Sequence, residues 1–92
     1  TKVIDLIKEL NSYGIEPTIV DPWVELEEAK LVYGIKVRKD IPNQEFEVLI
    51  LAVAHNQFKS FKKSYWEKIL KKKNIIFDLK GIVPRILNPM RF

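Results

Sequence analysis

Val48-Leu49-Ile50-Leu51-Ala52-Val53-Ala54 is the stretch on which the fold turns. It has no polar face, so a strand built from it is predicted to lie in a sheet covered on both sides, and to be the most buried strand of the chain. Glu47 and His55 bound the run, which falls far short of the roughly 20 apolar residues that a membrane-spanning helix needs. No membrane partner is expected. A shorter run, Ile75-Ile76-Phe77, is expected to form a further strand, ended by Asp78-Leu79-Lys80-Gly81.

Helical patterns surround these strands. Val3, Leu6, Ile7, Leu10 and Tyr13 recur at intervals of three and four with Gly14 following, which predicts an amphipathic helix with a glycine stop. Thr18-Ile19-Val20, between Pro17 and Asp21-Pro22, predicts a short strand. Residues 24–33 are expected to be helical, with Glu25, Glu27 and Glu28 near the start, where the helix dipole favours acids, and Gly34 as the stop. Ser64 and Glu67 have capping-box spacing and are expected to open a helix running to Lys73. The segment 84–92 holds two prolines, two arginines and no periodicity, and is expected to be irregular. Strands alternating with helices imply an α/β fold, a mainly parallel sheet with helices on both faces. In such sheets ligands bind beyond the carboxyl ends of the strands. That directs attention to Asp21-Pro22-Trp23, His55-Asn56-Gln57-Phe58 and Asp78-Leu79-Lys80-Gly81.

Composition narrows the chemistry. The 92 residues suit one small core. The cysteine count of zero removes disulfides, thiolate nucleophiles and Cys-based metal sites, and fits a cytoplasmic location. Thr1 to Leu10 lacks a signal-peptide pattern. The formal charge of +4 could favour an anionic ligand, although most such surpluses are solvated surface. The lysines at 59, 62, 63, 68, 71, 72 and 73 lie among Phe58, Phe61, Tyr65 and Trp66, a mixture that raises a nucleic-acid surface. Trp66, Ile69 and Leu70, however, share one helical face, so the aromatics are expected to point inward and the lysines to form a solvated face.

The chain resembles the carboxy-terminal UDP-binding domain of the UDP-glucose/GDP-mannose dehydrogenase family. The match runs in order through residues 3–10, Tyr13-Gly14, Val20-Asp-Pro-Trp23, Glu28-Ala29-Lys30, Tyr33-Gly-Ile35, Leu51-Ala-Val-Ala-His55 with Phe58, and Phe77-Asp-Leu-Lys-Gly81. The Asp-Pro-Trp, Ala-Val-Ala-His and Asp-Leu-Lys-Gly forms look most like the branch that oxidises UDP-N-acetylhexosamines for surface polysaccharides. The resemblance implies a Rossmann-like three-layer sandwich over residues 1–83, followed by the tail 84–92. It implies an enzyme with an amino-terminal Rossmann domain for NAD, a dimerising linker and this domain closing over a UDP-sugar. C6 of the sugar would pass from alcohol to carboxylate in two hydride transfers to NAD, through a cysteine-bound thiohemiacetal and thioester. That cysteine and the NAD fingerprint lie outside the matched region, in accord with the absent cysteine and with Gly14, Gly34 and Gly81 as the only glycines. No catalytic or metal-binding residue and no bound cofactor is therefore expected on this chain. Its expected partners are a UDP-sugar, the remainder of the dehydrogenase and further copies in a homo-oligomer.

The first strand of the family's domain, with a Lys-containing loop, precedes the helix near Thr1 and is missing from this sequence. An open edge beside residues 18–20 is expected, to be resolved by closure of the strand order, by the tail 82–92 or by a second copy. The second copy is the favoured expectation, because the prolines suit the tail poorly to an interior position.

The candidate ligand contacts are Lys80, Asp21 and His55. Lys80 follows a predicted buried strand and matches a basic residue that faces the UDP-sugar in the family; the alternative is a solvated lysine beside a turn glycine. Asp21 sits where a carboxylate could accept bonds from ribose hydroxyls, but Asp before Pro is also a common turn former. His55 could act from the end of a buried strand, yet a lone histidine without a partner motif reads better as a cap or closure contact. Trp23 is expected to pack in the core and Phe58 under the His55 loop. A stand-alone nucleotide- or nucleic-acid-binding module is the competing reading, since fold alone does not separate it from an enzyme domain.

Overall fold

The computed structural model describes residues 2–23 and 36–92. The chain forms two compact units, Thr1–Pro42 and Asn43–Phe92. In the first unit, helix α1 spans Lys2–Ser12 and buries Ile7, with Ile4, Leu6 and Leu10 half-buried on either side of it. It ends as predicted. Gly14 takes φ +77°, and Ile15 N–H reaches back to Leu10 O at 3.0 Å while Gly14 N–H donates to Asn11 O at 3.0 Å. This is the Schellman arrangement, which satisfies carbonyls that the helix end would otherwise leave open.

The strand expected at 18–20 is reduced to one parallel bridge, Val20 to Arg38. Asp21 N–H donates to Arg38 O, and Arg38 N–H to Ile19 O, both at 2.8 Å. Pro17 and Pro22 remove amide donors on both sides, so the ladder has little room to grow. Trp23, expected in the core, is 72% exposed. The helix expected at 24–33 lies outside the described residues.

The second unit contains the sheet. Strand β1 is Phe46–Leu51, α2 is Asn56–Lys59, α3 is Lys63–Lys68, β2 is Leu70–Asp78 and β3 is Met90–Arg91. The strand order is β1-β2-β3 and both pairings are parallel, so the sheet is of the expected α/β type. Leu49, Leu51, Ile76 and Asp78 share one face by register, and three of these four are buried. Phe58, Trp66, Ile69, Leu70 and Val83 complete the buried set. Phe58 packs as predicted, and the lysines at 59, 62, 63, 68, 71, 72 and 73 all point to solvent while Trp66, Ile69 and Leu70 do not.

Four expectations are corrected here. The run 48–54 is not covered on both faces: Val48 is 48% exposed, as its register partner Ile75 nearly is, and the most buried strand residues belong to β2. Among the described residues β1 is an edge strand of this sheet, which leaves its outward-facing side chains less covered than a central position would. The capping box does not form. Lys62 occupies the N-cap of α3 without a side-chain cap, Ser64 lies inside the helix, and Glu67 instead pairs with Lys63 at 3.8 Å on the surface. The helix does not continue to Lys73, because Leu70 already pairs with Phe46 and the chain runs on as β2. Between Leu70 and Ile75 the register slips, so that the polar stretch 71–74 bulges out of the ladder, with Asn74 Nδ2 donating to Lys71 O at 2.8 Å. Finally, the segment 84–92 is ordered into a 3-10 turn, Arg85–Leu87, followed by β3. Asn88 between them adopts φ 56°, a conformation asparagine tolerates better than most residues.

Candidate functional site

In a parallel sheet all strands deliver their carboxyl ends to one side, and here β1 and β2 arrive together: Leu51 is the register partner of Asp78. Leu79 N–H donates to Leu51 O at 3.0 Å and carries the pairing one step beyond β2. The loop after β1 leads to His55 and the turn after β2 to Lys80. These two candidates therefore follow neighbouring strand ends of one unit, while Asp21 belongs to the other.

Asp78 builds the turn that carries Lys80. Its side chain is 1% exposed and takes donors on both oxygens. Oδ1 accepts Gly81 N–H at 2.8 Å and Lys80 N–H at 3.3 Å, and Oδ2 accepts Val83 N–H at 2.8 Å and Arg91 Nε at 3.3 Å. Arg91 Nη2 donates in addition to Val83 O. Burial alone would push the carboxyl's pKa up. The backbone N–H groups of Val83, Ile82, Gly81 and Lys80 outweigh it and hold the group below its ordinary value, so Asp78 stays ionised. Gly81 closes the turn at φ +72°, where a side chain would be strained. The result is an ordered backbone from which the exposed Lys80 projects, and its ammonium has no ion-pair partner among the described residues. A cation held in this way can meet an anion without first giving up a protein partner.

His55 is half-buried and occupies the N-cap position of α2, where its carbonyl accepts Phe58 N–H at 3.0 Å and Lys59 N–H at 3.1 Å. Its ring meets Phe58 edge-on, with centroids 5.6 Å apart. Phe58 continues through Phe61 to Tyr65 and Trp66 in a chain of ring contacts. Asp21 Oδ1 accepts Trp23 N–H at 3.0 Å, an Asx turn of the kind its Asp-Pro sequence suggested. Among the described residues no group of three or more metal-ligating side chains comes together, and no helix is long and apolar enough to cross a membrane.

Sequence reasoning placed Asp78 in the segment that ends β2 but gave it no role of its own, and it passed over Arg91. An aspartate three residues before a glycine, directly after an apolar strand, is itself a turn signal and could have marked Asp78. No local signal joins it to Arg91, 13 residues later.

Residues 1–85 match the profile of the UDP-glucose/GDP-mannose dehydrogenase family, UDP binding domain. The chain is 36% identical over 84 residues to a UDP-N-acetyl-D-glucosamine 6-dehydrogenase of Salmonella typhi, covering 91% of this chain and 20% of that protein. It is 34% identical over 91 residues to the enzyme of the same name from Pseudomonas aeruginosa, covering 99% and 22%. It is also 35% identical over 83 residues to Protein CapL of Staphylococcus aureus, covering 90% and 19%. The chain thus spans about a fifth of the length of these curated relatives. No solved structure matches it significantly.

Proposed function

The chain belongs to the UDP-glucose/GDP-mannose dehydrogenase family through its UDP binding domain, and from that premise we propose that it holds the nucleotide sugar of an NAD-dependent UDP-sugar 6-dehydrogenase, with a UDP-N-acetylhexosamine as the substrate. The observation that carries this reading is the Lys80 turn: a cation with no ion-pair partner among the described residues, on a backbone held by Asp78, at the carboxyl ends of parallel strands, where α/β sheets bind their ligands. A charge-assisted hydrogen bond from Lys80 to a pyrophosphate oxygen would contribute about 1.5–3 kcal/mol. Asp21 and His55 are the further candidate contacts. Asp21 offers a carboxylate, the group that accepts ribose hydroxyls in nucleotide-binding α/β folds, and His55 closes the neighbouring loop. The choice of an N-acetylated sugar is supported by the names of two relatives and by the Asp-Leu-Lys-Gly and Ala-Val-Ala-His segments.

NAD does not fit this chain. A dinucleotide site needs a glycine-rich turn leading from a strand into a helix, and β1 is followed instead by Ala52-Val53-Ala54-His55. Hydride transfer and the covalent steps at C6 are accordingly assigned to the remainder of the dehydrogenase, with a uronate as the product, made in the cytoplasm for polysaccharide biosynthesis. A homo-oligomer also belongs to this reading, with the family resemblance as its support.

Calorimetric titration of UDP, UDP-N-acetylglucosamine, UDP-glucose and a short DNA duplex into the 92-residue protein tests the proposal. Saturable binding of UDP and its sugars, without comparable binding of the duplex, is the expected result. Tight duplex binding with no uridine nucleotide bound would replace this reading by a nucleic-acid module.

A further inference from the structure

We propose that the C-terminal segment latches the Lys80 turn, with Asp78 and Arg91 as positioning residues for that lysine; the consequence for ligand binding rests on the function proposed above. Three contacts tie the segment to β2. Met90 and Arg91 pair in parallel with Phe77 and Asp78, the ring of Phe92 stacks on Phe77 with centroids 6.3 Å apart, and the Arg91 guanidinium binds both Asp78 Oδ2 and the carbonyl of Val83. A two-residue ladder is weak by itself, and Phe92 is largely exposed. The guanidinium is the contact with most to lose, because its side chain is only 31% exposed and its acceptor is fully buried.

The same carboxylate that receives Arg91 also receives the amides of Lys80, Gly81 and Val83. Segment docking and turn order therefore share one group. Release of Arg91 leaves a buried carboxylate without the one side-chain cation that it has among the described residues and frees the Val83 carbonyl, so the carboxylate is driven to seek water and its grip on the turn loosens. A turn that is ordered for only part of the time presents Lys80 for only that part, and the apparent affinity for an anionic ligand falls by the same fraction. Linkage makes the effect reciprocal: a ligand that binds the ordered turn better must also hold the segment in place.

The test uses the 92-residue protein with Arg91→Gln, Arg91→Lys, Lys80→Ala and the double variant Arg91→Gln/Lys80→Ala. Two measurements are made on each, hydrogen exchange of the Gly81 and Val83 amides and calorimetric titration with UDP. Arg91→Gln is expected to speed exchange at both amides and to weaken UDP binding about fivefold or more. Arg91→Lys should restore part of each effect. Lys80→Ala should weaken UDP binding without changing exchange, and adding Arg91→Gln to it should cost no further affinity, because Arg91 acts through Lys80. Unchanged exchange in Arg91→Gln would overturn the latch. Weakening by Arg91→Gln that persists in full in the Lys80→Ala background would overturn the positioning role and make Arg91 a direct contact. If Lys80→Ala leaves UDP affinity intact, the functional reading of Lys80 falls, and with it the claimed effect on binding, while the exchange data still decide whether the segment latches the turn.

Discussion

Asp78 is ionised although almost no water reaches it, and that is tolerable only because four protein donors replace the water. Asparagine at this position keeps the shape but turns one acceptor oxygen into a donor facing N–H groups. Asp78→Asn is therefore expected to cost about 3 kcal/mol in stability, read from denaturant midpoints. The pH dependence has a definite sign. The folded pKa lies below the ordinary 3.8, so the carboxylate's contribution is complete above that value and is lost as pH falls through it toward the folded pKa. The stability difference between wild type and Asp78→Asn should be flat near neutral pH and shrink below about pH 4; a difference that grew with acidification would contradict the assignment. Lys80→Ala should weaken UDP binding by about 1.5–3 kcal/mol, roughly ten- to hundredfold, with the denaturation midpoint nearly unmoved. Much at this scale was legible in the sequence: Lys80 in a turn after an apolar strand, Asp21 as a turn former, His55 at a loop closure. The burial of Asp78 and its pairing with Arg91 were not, because both depend on where a distant segment folds back.

Legibility at the scale of elements follows the reach of the physics involved. The α1 stop at Gly14 is local, settled within a few residues of backbone, and it was readable. The exchange of a predicted helix for β2 after Ile69 was not. Lysines favour helices in isolation, but the strand pairing of Leu70 with Phe46 and of 75–78 with β1 belongs to the whole sheet, and it overrides local preference. The prolines of the C-terminal segment were read as unfit for an interior strand; Pro84 precedes the 3-10 turn and Pro89 precedes β3, which among the described residues lies at the edge of the sheet, where a missing N–H costs little. Two substitutions in α3 separate the predicted helix from the observed one. Ser64→Ala should stay within about 0.5 kcal/mol, since Ser64 does not cap the helix; a loss near 1 kcal/mol would bring the capping box back. Trp66→Ala should cost about 3–5 kcal/mol, because Trp66 is the largest fully buried side chain of its unit. Its indole N–H has no acceptor among the described residues, so the stabilisation it provides comes from apolar packing and not from a polar tether.

At the scale of the whole molecule, the apolar run that enters β1, taken with the helical patterns around it, correctly announced a parallel α/β sheet. It overstated the cover that the run receives: the face carrying Val48, Ile75 and Met90 stays about half exposed, and Phe92 beyond it is more so. Periodicity reports which residues can be buried, and the strand order decides which of them are. The same distinction separates what this chain can bind from what it can catalyse. In the proposed reaction, oxidising a sugar alcohol at C6 to a carboxylate removes two hydrides, so an acceptor must be held against the carbon, and passage through a thioester would also need a thiolate. The chain has no cysteine and only three glycines, which stand singly at positions 14, 34 and 81 and supply no dinucleotide turn. It also spans about a fifth of the length of these curated relatives. The pure 92-residue protein, incubated with NAD and UDP-N-acetylglucosamine, is therefore expected to show no rise in NADH absorbance above a protein-free control, while the same sample still binds UDP in a titration. Sustained NADH production would mean that hydride acceptance is assembled from residues within this chain, and it would overturn the proposed division of labour, in which this domain holds the nucleotide and the oxidation is performed elsewhere.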